Sequence, residues 1–434
     1  MLKVCKFGGS SLSDASQFEK VKNIVKSDDL RRVIVVSALG KRDSKDYKIT
    51  DLLYILAAHC KYNVGYEEIW NLIYNRFCQV RDSLKIDFEI ESELKNIKSK
   101  LNKNINEDWL VSRGEYLTAC LMSSYLGFKF VDAKNLISFD YNGKINEEKT
   151  AKLCTAVLND GEAIVVPGFY GAYPNGDIKI MSRGGSDITG SLLAQALNAT
   201  VYENFTDVSG ILAADPRLVD NPRSIKEVTY AELSELSYMG ANVLHEDTVY
   251  PVQKLNIPIN IKNTNDPENP GTMIKDNCTD TSNIVTGITG KKDFASITLY
   301  KPHMSREIGF IRKALTIFED YGLSIDHVPS GIDSFSIVIP MSDIEKNKYE
   351  LLTELKDSLK CEVELDDDLS LVAIVGRNMK NNIGVSGKVF TTLANNRINV
   401  KMMDQDPLEL SIIIGISNSD YEKTIKVLYE DLAR

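Results

Sequence analysis

Histidine and cysteine are too scarce and too scattered in this sequence to build a metal cage or a disulfide framework. The 434 residues include only four histidines and seven cysteines. The cysteine number is odd, no two cysteines form a C-x-x-C pair, and no two histidines have the spacing of metal ligands. We therefore expect reduced thiols and no dedicated protein metal site. So little histidine also argues against a hydrolase that depends on a general base.

Long apolar runs and an excess of positive charge are missing as well. No stretch approaches the roughly 20 apolar residues that span a bilayer, and the opening MLKVCKFGGSS lacks the apolar core of a signal peptide. The formal net charge is −10. An acidic surface repels nucleic acid backbones and anionic lipids, so we expect neither as a partner, and we expect a cytoplasmic protein.

What the sequence does contain is typical of an α/β protein with more than one core. It is 43% hydrophobic and 26% charged, which is average for globular proteins, and it is too long for one ordinary domain. Short β-branched runs at 2–7, 33–38 and 163–169 end at or near glycines and are separated by helical patterns. This pattern predicts a mostly parallel sheet covered on both faces. We read 1–290 as this α/β unit, with a second lobe from about 205.

The C-terminal third contains an internal repeat with an offset of 75 positions. Ile308-Gly309 matches Ile383-Gly384, and the SIVI run at 336–339 matches SIII at 411–414. Each copy reads as strand, glycine-initiated helix, strand, turn, strand. Two copies are too few for a solenoid, so we predict a paired α+β regulatory module over 291–434 that can bind a ligand at its seam. A duplicated unit that only dimerises is the alternative.

The segment KFGGSS at 6–11 has the features of an anion-binding turn. Lys6 is delivered by a strand, and Gly8 and Gly9 let the backbone approach a ligand closely. The N–H groups and the hydroxyl of Ser10 can then point at the anion. The lysine precedes the glycines, so this is not a P-loop. A plain strand-to-turn junction would also explain the tetrapeptide.

Three further segments carry candidate ligand-binding groups. In SRGGSD at 182–187, Arg183 precedes a Gly-Gly turn, and Ser186 and Asp187 have the residue types that cap a helix. In FTDVSGILAADPR at 205–217, Asp207 could accept a hydrogen bond from a ribose hydroxyl, and Arg217 could reach phosphate oxygens. In RGE at 113–115, Glu115 stands in the first turn of a helix that runs to 126. Each segment also has a purely structural explanation. These are a capped helix for 182–187, a turn-rich loop for 205–217 and compensation of the helix dipole for 113–115.

Taken together, these segments resemble the aspartate kinase family of the amino-acid kinase superfamily, in its monofunctional, lysine-sensitive type. The matching stretches are KFGGSS, RGE, RGGSD, TDVSGI with ADPR, VLH at 243–245 and PGT at 270–272, in the family's order. The repeat resembles tandem ACT domains. The resemblance implies an amino-acid kinase sandwich with an aspartate-side lobe over about 1–204 and a nucleotide-side lobe over about 205–290. Two ferredoxin-like α+β domains would follow over about 304–368 and 369–434, with strand 294–300 available for exchange between them.

The implied reaction is ATP-dependent phosphorylation of the β-carboxylate of L-aspartate, the first step of lysine, threonine and methionine biosynthesis, with Mg²⁺ carried by ATP. Lys6 and Asp187 would be catalytic. The implied substrate-binding residues are Ser37, Thr50, Glu115, Arg183, Gly184 and Ser186. The implied nucleotide-binding residues are Lys6, Gly8, Gly9, Ser10, Thr206, Asp207, Arg217 and Asn242.

For regulation, the resemblance implies feedback inhibition by an end-product amino acid, with lysine as the expected effector, and a homodimer or dimer of dimers formed through the ACT domains. The implied effector residues are Met304, Gly309, Ser324, Ile325 and Asp326. The sequence departs from the family at Ser209, Leu212 and Asn242, all on the nucleotide side. Another amino-acid kinase, or a non-catalytic amino-acid sensor, is the alternative function.

Overall fold

The computed structural model describes residues 1–157, 162–182, 184–241, 244, 246–380, 382–405 and 407–434. Its helices are α1 (Ala15–Lys26), α2 (Ile49–Lys61), α3 (Glu67–Leu84), α4 (Ile90–Ser99), α5 (Glu107–Val111), α6 (Arg113–Leu126), α7 (Glu147–Val157), α8 (Gly185–Ala196), α9 (Tyr230–Tyr238), α10 (Glu246–Gln253), α11 (Phe310–Asp320), α12 (Met341–Ile344), α13 (Lys348–Leu359), α14 (Val385–Asn395) and α15 (Tyr421–Leu428).

Its strands are β1 (Lys3–Phe7), β2 (Arg31–Val36), β3 (Lys129–Phe130), β4 (Ile164–Pro167), β5 (Tyr170–Ala172), β6 (Ile178–Ile180), β7 (Val201–Thr206), β8 (Ile211–Leu212), β9 (Ser224–Ile225), β10 (Glu227–Thr229), β11 (Ile259–Asn263), β12 (Thr272–Lys275), β13 (Gly287–Tyr300), β14 (Ser334–Pro340), β15 (Glu362–Val375), β16 (Met402–Gln405) and β17 (Ser411–Ile416).

The chain divides into two compact units. The first consists of Met1–Ile211, Lys226–Tyr230 and Val243–Cys278, and the second of Leu212–Ile225, Ala231–Asn242 and Thr279–Arg434. The domain and lobe boundaries drawn from the sequence stay predictions. In the described part of the chain, every helix is too short or too polar to cross a membrane.

The first unit is built on an eight-stranded sheet in the order β10-β12-β11-β7-β1-β2-β4-β3. The pairs along it are parallel apart from β11 with β12, so the predicted mostly parallel sheet is confirmed. Strands β1 and β2 are almost wholly buried because helices cover the sheet. On one face, Cys5, Phe7, Ile34 and Val36 join one core with α1 to α4 and α6. Strands β7, β1 and β2 lie side by side, so their carboxyl ends meet at one edge.

The second unit contains a five-stranded antiparallel sheet in the order β14-β13-β15-β17-β16. The sequence repeat is visible in its geometry. Helices α11 and α14 are both 11 residues long. Each follows a glycine in the left-handed region, Gly309 at φ 77° and Gly384 at φ 93°. The first copy differs from the expected pattern after α11, because its next segment forms only isolated bridges, such as His327 with Val338, where a strand was expected.

Candidate active site

Lys6 and Asp187 form an ion pair at the edge where β1 ends. Lys6 Nζ lies 2.6 Å from Asp187 Oδ1, and the lysine side chain is only 9% exposed. Asn204 of β7 is the register partner of Lys6 in the adjacent strand, and its Nδ2 donates to the same carboxylate oxygen at 2.8 Å. Two neighbouring strands therefore aim a cation and an amide at one carboxylate, which fixes where the ammonium points.

The glycines after β1 allow two turns to touch backbone to backbone. Gly40 N, in the turn after β2, donates to Gly9 O at 2.9 Å. A Cβ on Gly40 would lie 2.3 Å from that oxygen, so no other residue fits without a shift. Gly8 N in turn donates to Phe205 O of β7 at 3.1 Å. The glycine turn is thus held between its two neighbouring strands, with Ser10 following it.

Glu115 is a buried carboxyl with unused hydrogen-bonding capacity. It lies in the first turn of α6, which begins and ends where the sequence predicted. The side chain is 4% exposed, and Oε2 has no hydrogen-bond partner among the described residues. Burial raises the pKa of Glu115 to about 8, and backbone N–H groups only partly offset this. An incoming ammonium group would satisfy this carboxyl and restore its charge.

These groups line a single cleft of about 1150 Å³ in the first unit. It contains twelve of the predicted site residues: Lys6, Gly8, Gly9, Ser10, Ser37, Thr50, Glu115, Gly184, Ser186, Asp187, Thr206 and Asp207. Arg183 and Asn242 were also predicted, and both lie outside the described residues. Arg217 is not among the lining residues; its guanidinium is 86% exposed and pairs with Asp215 at 2.6 Å.

The start of α8 differs from the expectation in one respect. Its N-cap is Gly184, at φ 77°, and no side chain caps the first turn. Ser186 and Asp187 lie inside the helix, so the expected capping role for them is wrong. The physical reason is that the Asp187 carboxylate is already engaged by Lys6 and Asn204. A glycine that adopts the left-handed region provides the sharp entry that a capping side chain would otherwise stabilise.

Sequence reasoning missed several groups in or beside the cleft. Asn204 left one signal, since Glu203 and Asn204 are polar residues between the aromatic Tyr202 and Phe205 in the buried middle of β7. Lys41 and Lys48 line the cleft from the loop between β2 and α2, and nothing in their spacing marked them. On the nucleotide side, Thr206 Oγ1 donates to Asp207 Oδ1 at 3.1 Å.

A smaller cavity of about 590 Å³ lies in the first copy of the repeat, in the second unit. Ser324, Ile325 and Asp326 line it, as three of the five predicted effector residues. Asp326 accepts a hydrogen bond from the hydroxyl of Tyr238. The other two predicted residues do not line it: Met304 is buried in the core of this copy, and Gly309 precedes α11.

Comparisons with known proteins agree with this architecture. The amino acid kinase family model matches residues 1–263, and an ACT domain model matches residues 372–432. Aspartokinase 3 of Bacillus subtilis is 34% identical to this chain over 447 residues, which cover 99% of the chain and 98% of the relative. A solved aspartate kinase from Clostridium acetobutylicum is 43% identical with a TM-score of 0.93, covering 99% of this chain and 100% of that one.

Two structures of aspartokinase III from E. coli are also similar over 100% of both chains. The complex with aspartate and ADP is 26% identical with a TM-score of 0.78. The complex with lysine and aspartate is 27% identical with a TM-score of 0.76. The family model covers more than half of this chain, and the Bacillus relative matches almost its full length. The chain therefore belongs to the amino acid kinase family and, within it, to the aspartokinases.

Proposed function

We propose that the cleft around Lys6 transfers the γ-phosphoryl group of ATP to the β-carboxylate of L-aspartate and yields 4-phospho-L-aspartate. The observation that carries this proposal is the pairing of two unlike sites in one cleft. Lys6 beside the glycine turn suits the phosphate chain. The unsatisfied carboxyl of Glu115 suits the α-ammonium of an amino acid. A kinase with an amino-acid acceptor requires this combination.

The reaction needs positioning and charge stabilisation, but no general base. The β-carboxylate of aspartate has a pKa of about 3.9, so it is already ionised near neutral pH. The barrier is the repulsion between this anion and the triphosphate. Lys6, the backbone N–H groups of Gly9 and Ser10, and the Mg²⁺ that arrives with ATP would stabilise the charge on the transferred group. Asp187 would orient these cations through its contact with Lys6.

The remaining cleft residues would divide between the two substrates. We assign Ser37, Thr50, Gly184 and Ser186 to the aspartate side, as residues that line the same cleft as Glu115. Arg183 would hold the α-carboxylate, an assignment that depends on the sequence alone. We assign Gly8, Thr206 and Asp207 to the nucleotide, together with Arg217 and Asn242, again from the sequence.

A coupled assay tests the proposal directly. The protein is incubated with Mg-ATP, hydroxylamine and either L-aspartate or L-glutamate, and the hydroxamate product is measured. We expect β-aspartyl hydroxamate from aspartate and no product from glutamate. Equal turnover of glutamate would assign the chain to another acceptor, and no product from either acid would indicate a sensor without activity.

We further propose that lysine is the effector and that it binds at Ser324, Ile325 and Asp326. The Asp326 carboxylate would pair with an ammonium group of lysine, in competition with the Tyr238 hydroxyl that it now accepts from. Met304 and Gly309 would shape the pocket indirectly, one from the core and one from the start of α11. Repeating the assay with lysine, threonine and both identifies the effector, and inhibition by threonine alone would overturn the proposal.

We also propose a cytoplasmic homodimer, or a dimer of dimers, that forms through the ACT domains. Ile308 and Ile383 support this, since they occupy equivalent positions in the two copies and their side chains are fully exposed. Burial of these two apolar side chains between subunits would favour association. Light scattering of the wild type and of Ile308→Lys tests the proposal, and a monomeric wild type would contradict it.

A further inference from the structure

The loop between β2 and α2 is bonded to the glycine turn at its start and closed on itself at its base. At its start, Gly40 N donates to Gly9 O at 2.9 Å. At its base, Ile49 N donates to Leu39 O at 3.2 Å, which closes the loop on itself. Lys41 lies directly after the first fastening and lines the cleft. The loop is therefore part of the cleft wall.

A buried arginine and a carboxylate hold the loop from below. Arg76 of α3 is 5% exposed, and its Nη2 donates to Gly40 O at 2.8 Å and to Ser13 O at 3.2 Å. Its Nη1 donates to Asp46 Oδ2 at 2.5 Å. Asp46 also accepts from the backbone N and Nε of Arg42, at 3.0 and 2.9 Å. One guanidinium thus ties the loop to the end of the glycine turn after β1.

The cleft is short of cations for the ligands it is proposed to bind. Four aspartates and the largely protonated Glu115 line it against three lysines among the described residues. Lys6 is already paired with Asp187. Within the described part of the chain, Lys41 and Lys48 make no ion pair, and both side chains are exposed to the cleft. A nucleoside triphosphate keeps a net negative charge even with Mg²⁺ bound, and the charge of Lys6 is already shared with Asp187, so the bound nucleotide would gain from further cations.

We propose that Lys41 and Lys48 bind phosphate oxygens of the nucleotide and that Arg76 is the residue that positions them. This inference rests on the proposed function of the cleft. Lys41 follows the residue that is bonded to the glycine turn, so it approaches the phosphate chain from that side. Lys48 lies directly before Ile49, whose N–H closes the loop, and approaches from the side of α2. Charge-assisted contacts of this kind persist only if the loop keeps its shape, which the Arg76 and Asp46 contacts enforce.

Nucleotide binding by calorimetry tests the lysines independently of phosphoryl transfer. We compare ADP and AMP binding, with Mg²⁺, in the wild type, Lys41→Met, Lys48→Met and the double variant. Lys45→Met is the matched control, because Lys45 lies on the same loop but does not line the cleft. We expect the Kd for ADP to rise roughly fivefold per lysine, with a smaller change for AMP and none for Lys45→Met.

Unchanged ADP affinity in the double variant overturns the inference, and so does equal weakening of ADP and AMP, because AMP has only one phosphate. The hydroxamate assay on the wild type tests the proposed kinase activity separately. A failure of the lysine proposal can therefore be distinguished from a failure of the proposed function.

The positioning role of Arg76 has its own test. Arg76→Met should raise the KM for ATP roughly tenfold, and added methylguanidinium should restore part of the loss. Arg32→Met, an exposed arginine of β2, is the control. If Arg76→Met lowers only the melting temperature and keeps the KM for ATP, Arg76 is structural and its positioning role is overturned.

Discussion

Lys6 and Asn204 occupy partnered positions on adjacent parallel strands, and both donate to one oxygen of Asp187. Paired residues of neighbouring strands point to the same face of a sheet, so this convergence is a property of the β1–β7 register. A shift of one residue would turn one of the two side chains away. The position of the Lys6 ammonium is therefore set by sheet pairing and by its ion pair with the Asp187 carboxylate.

Lys6→Met should remove most of the turnover without unfolding the protein. One preorganised donor at the site of developing charge is worth roughly 10²- to 10³-fold in kcat, and Asn204 still satisfies Asp187 in the variant. The hydroxamate assay gives kcat, and a thermal melt reports the fold. Lys3→Met is the matched control, because Lys3 lies on the same strand and pairs instead with Asp28 at 2.8 Å. A near-normal rate in Lys6→Met would contradict the mechanism.

Glu115 should make aspartate binding depend on pH. An ammonium pairs with the ionised carboxyl, and burial raises the pKa of Glu115 to about 8. The KM for aspartate should therefore fall as the pH rises towards 8 and level off above it. Glu115→Gln should bind aspartate weakly and lose this dependence, whereas the exposed Glu107→Gln should keep it. A flat wild-type profile would show that Glu115 does not meet the ammonium.

The same carboxyl should affect stability with a defined sign. Its folded pKa lies above the ordinary glutamate value of 4.5, so the folded state holds the proton more tightly than the unfolded state. The resulting stability is present below about pH 4.5 and is lost as the pH rises through about 8. Glu115→Gln should thus gain stability relative to the wild type as the pH rises from about 4.5 to about 8, by roughly 5 kcal/mol at most. Urea unfolding at several pH values measures this, and a constant difference would refute it.

Gly40→Ala should displace the glycine turn. The new Cβ would lie 2.3 Å from Gly9 O, a distance that the backbone must open. We expect a loss of roughly 1–3 kcal/mol in the free energy of unfolding, with a higher KM for ATP. At Gly65, by contrast, an added Cβ meets no heavy atom within 4 Å, so Gly65→Ala should stay within about 0.5 kcal/mol of the wild type. If Gly40→Ala and Gly65→Ala destabilised the protein equally, the contact of Gly40 with Gly9 could not be the cause of the destabilisation.

Asp326→Asn should weaken inhibition by lysine. The amide cannot pair with an ammonium as a carboxylate does, so the half-inhibitory lysine concentration should rise at least roughly tenfold. Asp320→Asn is the control, since Asp320 is exposed at the end of α11 and does not line the cavity. The hydroxamate assay with increasing lysine gives both values. Unaltered inhibition in Asp326→Asn would place the effector elsewhere.

Local sequence signals predicted much of this architecture. The β-branched runs ending in glycine indicated β1, β2 and β4, because buried parallel strands need such runs. The start of α6 at Arg113 and the first-turn position of Glu115 were also predicted. The repeat was readable because two copies of one fold must bury equivalent positions, and α11 and α14 fall at the predicted offset.

Contacts between distant segments could not be predicted in this way. Asn204 joins Asp187 only once β7 is placed beside β1, and no local pattern specifies that register. Lys41 and Lys48 look like ordinary surface lysines in the sequence, because the contact that holds their loop comes from Arg76, a residue of α3 about 30 positions further along the chain. The capping expectation for Ser186 and Asp187 was wrong for the same reason, since a tertiary contact outweighed the local preference.

The two 14-residue strands of the second sheet, β13 and β15, each serve both copies of the repeat. The end of β13 pairs with β14 in the first copy, and the end of β15 pairs with β17 in the second. The strands also pair with each other along their length. Neither copy therefore forms a complete sheet by itself. Cutting the chain between the two copies would remove from each sheet a strand that the other copy supplies. The two copies can therefore be moved to another protein only together. Any engineered change of the effector response must keep both copies in the chain.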